Sequence, residues 1–527
     1  MECGALKRPI AFISRLKGAA TRQTQSIGAF ACLVIAWLSM TCILFFAEPT
    51  QPWRMIALGS SYLLTALVGY LALSGDIKEW KTVACLAGLL VLGQAVLKIT
   101  YRVFIPGFPD RAGDELFWVA AMREFQNSGR IPEFWTPYTL PQGPGIYYFV
   151  QLLSPFFSGN YNEALTGMAV LLGSIYVVSV IAAQYVMTDS KCLALFAATI
   201  SVSFDVIAYS TSIARPTIIA ITLMPILVYL FAECRKRNRT RTWVAFFLLS
   251  MILMFSHPIG WVAFLVVISA FWLVSGFKTR TEKASAVLLF EIYAFALMFV
   301  LRGSSGVLTT ELMGKTPLAV LSEVARYQLL PIWLLIPPLC LLIFDSLRKR
   351  RFSRLTPVRG RPLPPRHWLY IVSLSLLGLT AIFAYIVWAK YEEYILVTYG
   401  SFSQFLVLHG WKIPIVALGL YGLILTVSAK RRGDGSNIAL AWLLSIMGLV
   451  LFLALFLPYE GSPGLRNLDE RFYEFAIFPA TTFTAYGLDG LGKRVHSPIV
   501  RMLLMLLFSA FVIPSLMVGL RDPMLFH

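Results

Sequence analysis

Asp110, Asp114 and Glu115 open the longest polar stretch on one side of a very apolar chain, residues 106–144, reading PGFPDRAGDELFWVAAMREFQNSGRIPEFWTPYTLPQGP. Grouped carboxylates at a membrane surface suit general-base work, cation binding, or both. They suit a plain structural task as well, because Asp is a favoured helix N-cap and acids in a first turn complement the helix dipole. Trp118, Met122 and Phe125 follow Asp114 at spacings of four, four and three. A helix beginning at Asp114 therefore carries all three on one face, with the carboxylate at the head of an apolar stripe that turns toward the interior. The stretch continues through Thr136-Pro137-Tyr138 to Gly143-Pro144-Gly145-Ile146-Tyr147-Tyr148, a Pro/Gly turn feeding an aromatic segment. Such aromatics form belts at bilayer interfaces, and their rings also suit stacking on a sugar.

The elements that must position these groups are membrane helices. Of the 527 residues 58% are hydrophobic and 14% charged, where soluble proteins carry roughly 25% charged residues. Apolar runs long enough to cross a hydrocarbon core of ~30 Å recur along the whole length. They predict an all-α, multi-pass helical bundle with fifteen candidate spans (eleven to fifteen is the plausible range): 27–47, 53–73, 82–98, 163–187, 191–210, 216–232, 242–256, 258–275, 284–301, 328–346, 368–389, 413–429, 437–457, 475–491 and 499–518. The first follows Lys7, Arg8, Arg15, Lys17 and Arg22 and lacks a small-residue cleavage pattern, so it reads as an anchor rather than a removed signal.

With the N-terminus placed in the cytoplasm, the parity of the spans puts two thirds of the 45 Lys and Arg but only a third of the 27 acids inside. The net charge of +18 is then the positive-inside rule at work, and nucleic acid is not expected as a partner. The sequon Asn238-Arg239-Thr240 falls on the cytoplasmic side, where glycosylation does not occur. The seven cysteines lie mostly in apolar runs or inside and show no metal-ligand spacing, which excludes a disulfide framework. The basic, Pro-rich loop RKRRFSRLTPVRGRPLPPR, residues 348–366, marks the best internal boundary. No internal repeat or appended soluble domain is evident. The polar or mixed outer segments 99–162, 302–327, 390–412 and 458–474 share the face of the acidic stretch, so chemistry is expected there.

Three further stretches on that face carry candidate groups. Ala214-Arg215-Pro216 opens a span. Phe255-Ser256-His257-Pro258-Ile259-Gly260 splits a long apolar run, and Pro258 with Gly260 equally makes a plain helical hairpin with His257 as its turn residue. Leu465-Arg466-Asn467-Leu468-Asp469-Glu470-Arg471-Phe472-Tyr473-Glu474 leads toward Phe478-Pro479-Ala480 and Tyr486-Gly487-Leu488-Asp489. Its arginines suit a lipid phosphate, although Asp469, Glu470 and Glu474 offer them partners in an ordinary solvated cluster. Lys98 and Arg102 lie just outside the third span.

The order of these motifs, from an outer loop with Gly-Asp-Glu opening a helix, through GPGIYY before the next span, to the RP and HPIG progression and the late R-F-Y segment, resembles the GT-C superfamily of membrane glycosyltransferases. Protein O-mannosyltransferases and the aminoarabinose transferase of lipid A are members. The resemblance covers residues from about 82 to 300 and 458 to 491. It departs from the family in two extra spans before the acidic loop, and the WWDxG-type signature of oligosaccharyltransferases is absent. It implies one integral membrane domain over residues 1–527, divided into an N-terminal hairpin 1–81, a GT-C-like catalytic module 82–346 with first outer loop 99–162, and a C-terminal membrane module 347–527. Short amphipathic helices are expected in the extracytoplasmic loops.

The implied activity is inverting transfer of a sugar from a polyprenyl-phosphate donor to an acceptor hydroxyl on a glycan, lipid or protein, outside the plasma membrane. Asp114 takes the acceptor's proton. Glu115 positions the acceptor or, with Asp110, helps hold a cation. Arg215, His257, Arg466 and Arg471 steady the departing phosphate, with Lys98 and Arg102 as weaker candidates, and Tyr147 and Tyr473 complete the substrate-binding set. No cofactor is fixed by the sequence; a Mg or Mn ion, if one is used, falls to Asp114 and Glu115. A polysaccharide polymerase or ligase, and a transporter or flippase without covalent chemistry, are the alternatives. The second lacks the repeated halves and midplane charge expected of it, Glu291 being the clear intramembrane acid.

Overall fold

A computed structural model describes residues 52–74, 77, 79–104, 114–129, 145–303, 330–353, 412–427, 434–456 and 468–494. Its regular elements are helical: α1 (Pro52–Ser74), α2 (Trp80–Phe104), α3 (Asp114–Ser128), α4 (Gly145–Leu153), α5 (Tyr161–Thr188), α6 (Lys191–Ser203), α7 (Asp205–Ser210), α8 (Thr217–Arg237), α9 (Thr240–Ser256), α10 (Pro258–Ser275), α11 (Arg280–Gly303), α12 (Leu330–Ser353), α13 (Ile413–Val427), α14 (Asp434–Phe456) and α15 (Leu468–Arg494). A 3-10 turn, Ser154–Phe157, joins α4 to α5. No strand occurs among the described residues.

Four of these helices are long and apolar enough to cross a membrane: 80–100 within α2, α5, α8 and α10. Shorter apolar helices include α6, α9 and parts of α12, α13 and α14. The expected spans 27–47, 368–389 and 499–518 lie outside the described residues. Apolar side chains exposed on the bundle's outside, among them Leu171, Ile175 and Val178 on α5 and Val244, Leu248 and Ile252 on α9, are what a hydrocarbon solvent requires, since lipid tails are as apolar as the side chains themselves.

One expected span is broken. Residues 191–210 form α6 and α7 with an extended residue, Phe204 (φ −67°, ψ 131°), between them. Thirteen residues of α6 rise only ~20 Å, short of the hydrocarbon thickness. The break has a local and a remote contribution: the Ser201 and Ser203 hydroxyls bond back to the Ala197 and Thr199 carbonyls, which weakens a helix, and Asp205 is drawn into an ion pair with the distant Lys412.

Other boundaries are fixed by side chains. The Asn160 side chain accepts from the amides of Asn162 and Glu163 at the start of α5, a standard N-cap. Asn238 ends α8 in the left-handed region (φ 46°), and its Oδ1 accepts from Trp243 Nε1 at 3.1 Å. The sequon asparagine is thus a packed helix cap. One hydrophobic core runs from Ala66 to Leu488. α13 and α15 meet at glycines: a Cβ on Gly422 would fall 2.6 Å from the Gly487 amide, the small-residue contact by which membrane helices approach one another.

At one end of the bundle α8, α10, α11 and α12 are tied by buried charge. Arg235 Nη1 lies 3.0 Å from Glu282 Oε1, their side chains 3% and 1% exposed. Glu282 also accepts from Trp272 Nε1 at 2.9 Å and from the Lys278 amide at 2.7 Å. Arg235 donates to the Gly276 carbonyl, and its guanidinium sits 4.5 Å from the Phe271 ring centroid. Asp345 on α12 accepts from the Phe277 amide and pairs with Lys283.

Candidate functional site

The opposite end of α8 holds the candidate site. α3 begins at Asp114 as the spacing predicts, and Trp118, Met122 and Phe125 are buried. With Ala121 they join one buried cluster made with Ile146, Tyr147 and Val150 of α4, Ala164, Leu165, Met168 and Ala169 of α5, and Ala214, Ile218 and Ile219 around the start of α8. The Tyr147 ring sits between Trp118 (centroids 6.0 Å apart) and Phe125 (5.2 Å). Burial, with a smaller contribution from the Glu124 charge, pushes the Tyr147 phenol up to about 12, so it stays protonated at any working pH. The aromatic face offered here is the neighbouring Tyr148, which is exposed. Of Asp114 and Glu115 only the backbone belongs to the description, in the first turn of α3.

Three motifs that lie far apart in the chain meet here. Gly145, at the start of α4, rests on Ser256, where a Cβ would come within 3.0 Å of the Ser256 amide nitrogen and Cα. Ser256 precedes His257 at the junction of α9 and α10. His257 Nδ1 accepts from the Gly260 amide at 2.9 Å, capping α10. That leaves the ring proton on Nε2, 3.5 Å from Thr217 Oγ1. Thr217 follows Arg215-Pro216. The acidic-loop helices, the RP turn and the HPIG junction are therefore one continuous packing unit. Gly145→Val is expected to lift α4 off this junction and destabilise the protein by ~1–3 kcal/mol, read as a lower unfolding midpoint in detergent.

The segment from Phe204 to Thr217 is held by polar side chains from two other helices, from the α9–α10 junction and from the residue before α13. Lys98 of α2 is 1% exposed, and its Nζ donates to the Thr211 carbonyl at 2.9 Å and to Thr211 Oγ1 at 2.6 Å. The ammonium also lies 5.5 Å from the Tyr176 ring centroid, in space that Gly173 leaves open: a Cβ there would fall 2.7 Å from it. Lys412, which precedes α13, pairs with Asp205. Glu474 of α15 accepts from Ser210 Oγ at 2.7 Å and from Arg215 Nη2 at 3.1 Å. His257 supplies the fourth contact, to Thr217.

Lys98, Tyr147, Arg215 and His257 are thus gathered around one segment. Arg102 closes α2, and Arg471 and Tyr473 lie in the first two turns of α15; the description covers only their backbone. Asp110 and Arg466 lie outside the described residues. Sequence reasoning missed Asp205, Ser210, Thr211, Lys412 and Glu474. Glu474 carried a signal of a kind, as a possible partner for Arg466 or Arg471, but it pairs with an arginine 259 residues away. Among the described residues no three His, Cys, Asp or Glu side chains group as a metal site.

No protein-family model and no curated protein matches the chain. Among solved structures it is similar to the Archaeoglobus fulgidus oligosaccharyltransferase. The crystal structure with zinc and sulfate is 16% identical with a TM-score of 0.49, covering 82% of this chain and 52% of that one. The complex with an inhibitory peptide and a dolichol-phosphate is 12% identical with a TM-score of 0.48, covering 84% and 56%. This chain spans about half the length of the proteins it matches.

Proposed function

We propose that the chain is a membrane glycosyltransferase that moves a sugar from a polyprenyl-phosphate donor to an acceptor hydroxyl, with its site on the extracytoplasmic face of the plasma membrane. The acceptor's O–H proton passes to the Asp114 carboxylate as its oxygen attacks the anomeric carbon. The bond from that carbon to the phosphate oxygen breaks with inversion, and the electron pair leaves on the phosphate. Arg215 meets the growing negative charge, where fixed cationic donors contribute most. Should a divalent cation take part, Asp110, Asp114 and Glu115 are the groups to hold it.

The observation that carries this reading is the convergence of the acidic-loop helices, Arg215 and the His257 junction at one end of an apolar bundle. A long isoprenoid tail explains why such chemistry is built into membrane helices. The broken helix α6–α7 with buried Asp205 favours a second reading, transport, because interrupted helices carry substrate sites in transporters. Asp205 is already engaged by Lys412, however. Incubating purified protein in vesicles with labelled polyprenyl-phosphate sugars separates the readings by thin-layer analysis. Transfer of a single sugar supports the proposal, chain growth indicates a polymerase, and a lipid recovered unchanged after binding indicates a transporter.

A further inference from the structure

We infer that Glu474 is a positioning residue: it and Ser210 fix the orientation of the Arg215 guanidinium toward the phosphate of the donor. The inference rests on the proposed use of Arg215 and goes beyond it by assigning α15 a part in the site. Arg215 sits in an irregular turn between α7 and α8, where backbone geometry alone leaves a long side chain many rotamers. Two contacts close on one nitrogen, and a third ties its two acceptors together. Arg215 Nη2 donates to Ser210 Oγ at 2.9 Å and to Glu474 Oε1 at 3.1 Å, while Ser210 Oγ donates to the same Glu474 oxygen at 2.7 Å. The Tyr209 ring lies on the guanidinium's flank, its centroid 5.6 Å away.

Both charged side chains are largely buried, 15% and 9% exposed, so the pair is little screened. α15 is a firm base for the carboxylate. Phe472 and Phe475 beside it are in the core, and one turn further on Phe478 O accepts from Gln184 Nε2 at 2.7 Å. A guanidinium held in this way offers its donors in a set direction, which is what recognition of a phosphate by paired N–H groups needs.

The test is a double-mutant cycle on Glu474→Gln and Arg215→Lys, read on two quantities: binding of polyprenyl monophosphate by the purified protein, and kcat and KM of sugar transfer. Glu474→Gln is expected to lower kcat by up to ~10²-fold, the usual cost of misplacing a catalytic group, and to weaken phosphate binding. The double variant is expected to be no worse than Arg215→Lys alone, since a residue acting through another has nothing left to act on. Glu474→Asp, which keeps the charge, should recover part of the loss, and Ser210→Ala, a milder change in the same ring, should give a smaller loss of the same kind. Multiplicative losses in the cycle, or a loss matched by the fraction of protein unfolded in all three variants, would overturn the inference. If phosphate binds with non-additive losses and no donor yields transfer, the glycosyltransferase reading fails and the positioning role stands. If transfer proceeds and the cycle is multiplicative, only the positioning role fails.

Discussion

Asn at position 114 is expected to abolish most sugar transfer: Asp114→Asn should lower kcat by ~10²–10⁴-fold, the usual cost of losing a general base, while leaving folding and donor binding close to those of the unmodified protein. The expectation follows from position. Asp114 heads a helix whose next turns are engaged, with Trp118, Met122 and Phe125 buried in the cluster made with α4 and α5. The amide is nearly isosteric with the carboxylate and can still cap a helix, so a structural role alone predicts only a small change in stability. Kinetics in membranes, alongside the unfolding midpoint of the same preparation, distinguish the two. Activity within a few-fold of the parent would remove Asp114 from the mechanism.

Glu282→Gln should be the most destabilising single change at the other end of the bundle, by about 3–5 kcal/mol, because it leaves the Arg235 charge buried without its counter-charge. Glu282 also accepts from Trp272 Nε1 and the Lys278 amide, so an apolar replacement of both Arg235 and Glu282 would orphan those donors and should not restore stability. Denaturation in detergent micelles measures the effect. The folded fraction should transfer sugar at the parent's rate, since the 21 residues of α8 separate the network from the Thr217 end by ~30 Å. A stability change under ~1 kcal/mol would show that the charges are solvated in the membrane protein as it exists, since exposed pairs contribute no more than that.

Much of this arrangement was legible in the sequence where local periodicity decides it. The start of α3 at Asp114, its buried face, and the split of residues 242–275 at His257 all follow from spacing and from Pro258. The parity of the spans also anticipated that Lys98, Arg215 and His257 would share one end of the bundle, because each helix reverses the chain. The break at Phe204 was not legible. The run from Lys191 to Ser210 has Asp205 as its one acid and only scattered Ser and Thr besides, and its interruption depends in part on Lys412, which is remote in the chain. The partner of Arg215 was hidden for the same reason: Glu474 stands among nearer arginines, and only the packing of α15 beside α6 and α7 brings it to Ser210. Lys98 illustrates a different limit. Its place at a span's outer end suggested a phosphate ligand, whereas burial against Thr211 depends on the gap left by Gly173.

The central claim, that an acid at the head of α3 and the cationic group at Arg215 address one lipid-linked donor, is tested most directly by a structure of the protein with a bound polyprenyl-phosphate sugar. The account predicts the phosphate within hydrogen-bond reach of Arg215, and the Asp114 carboxylate within reach of an acceptor hydroxyl at the anomeric carbon, ~3 Å or one water away. A headgroup bound elsewhere, with Asp114 facing bulk water on the far side of α3, would contradict it.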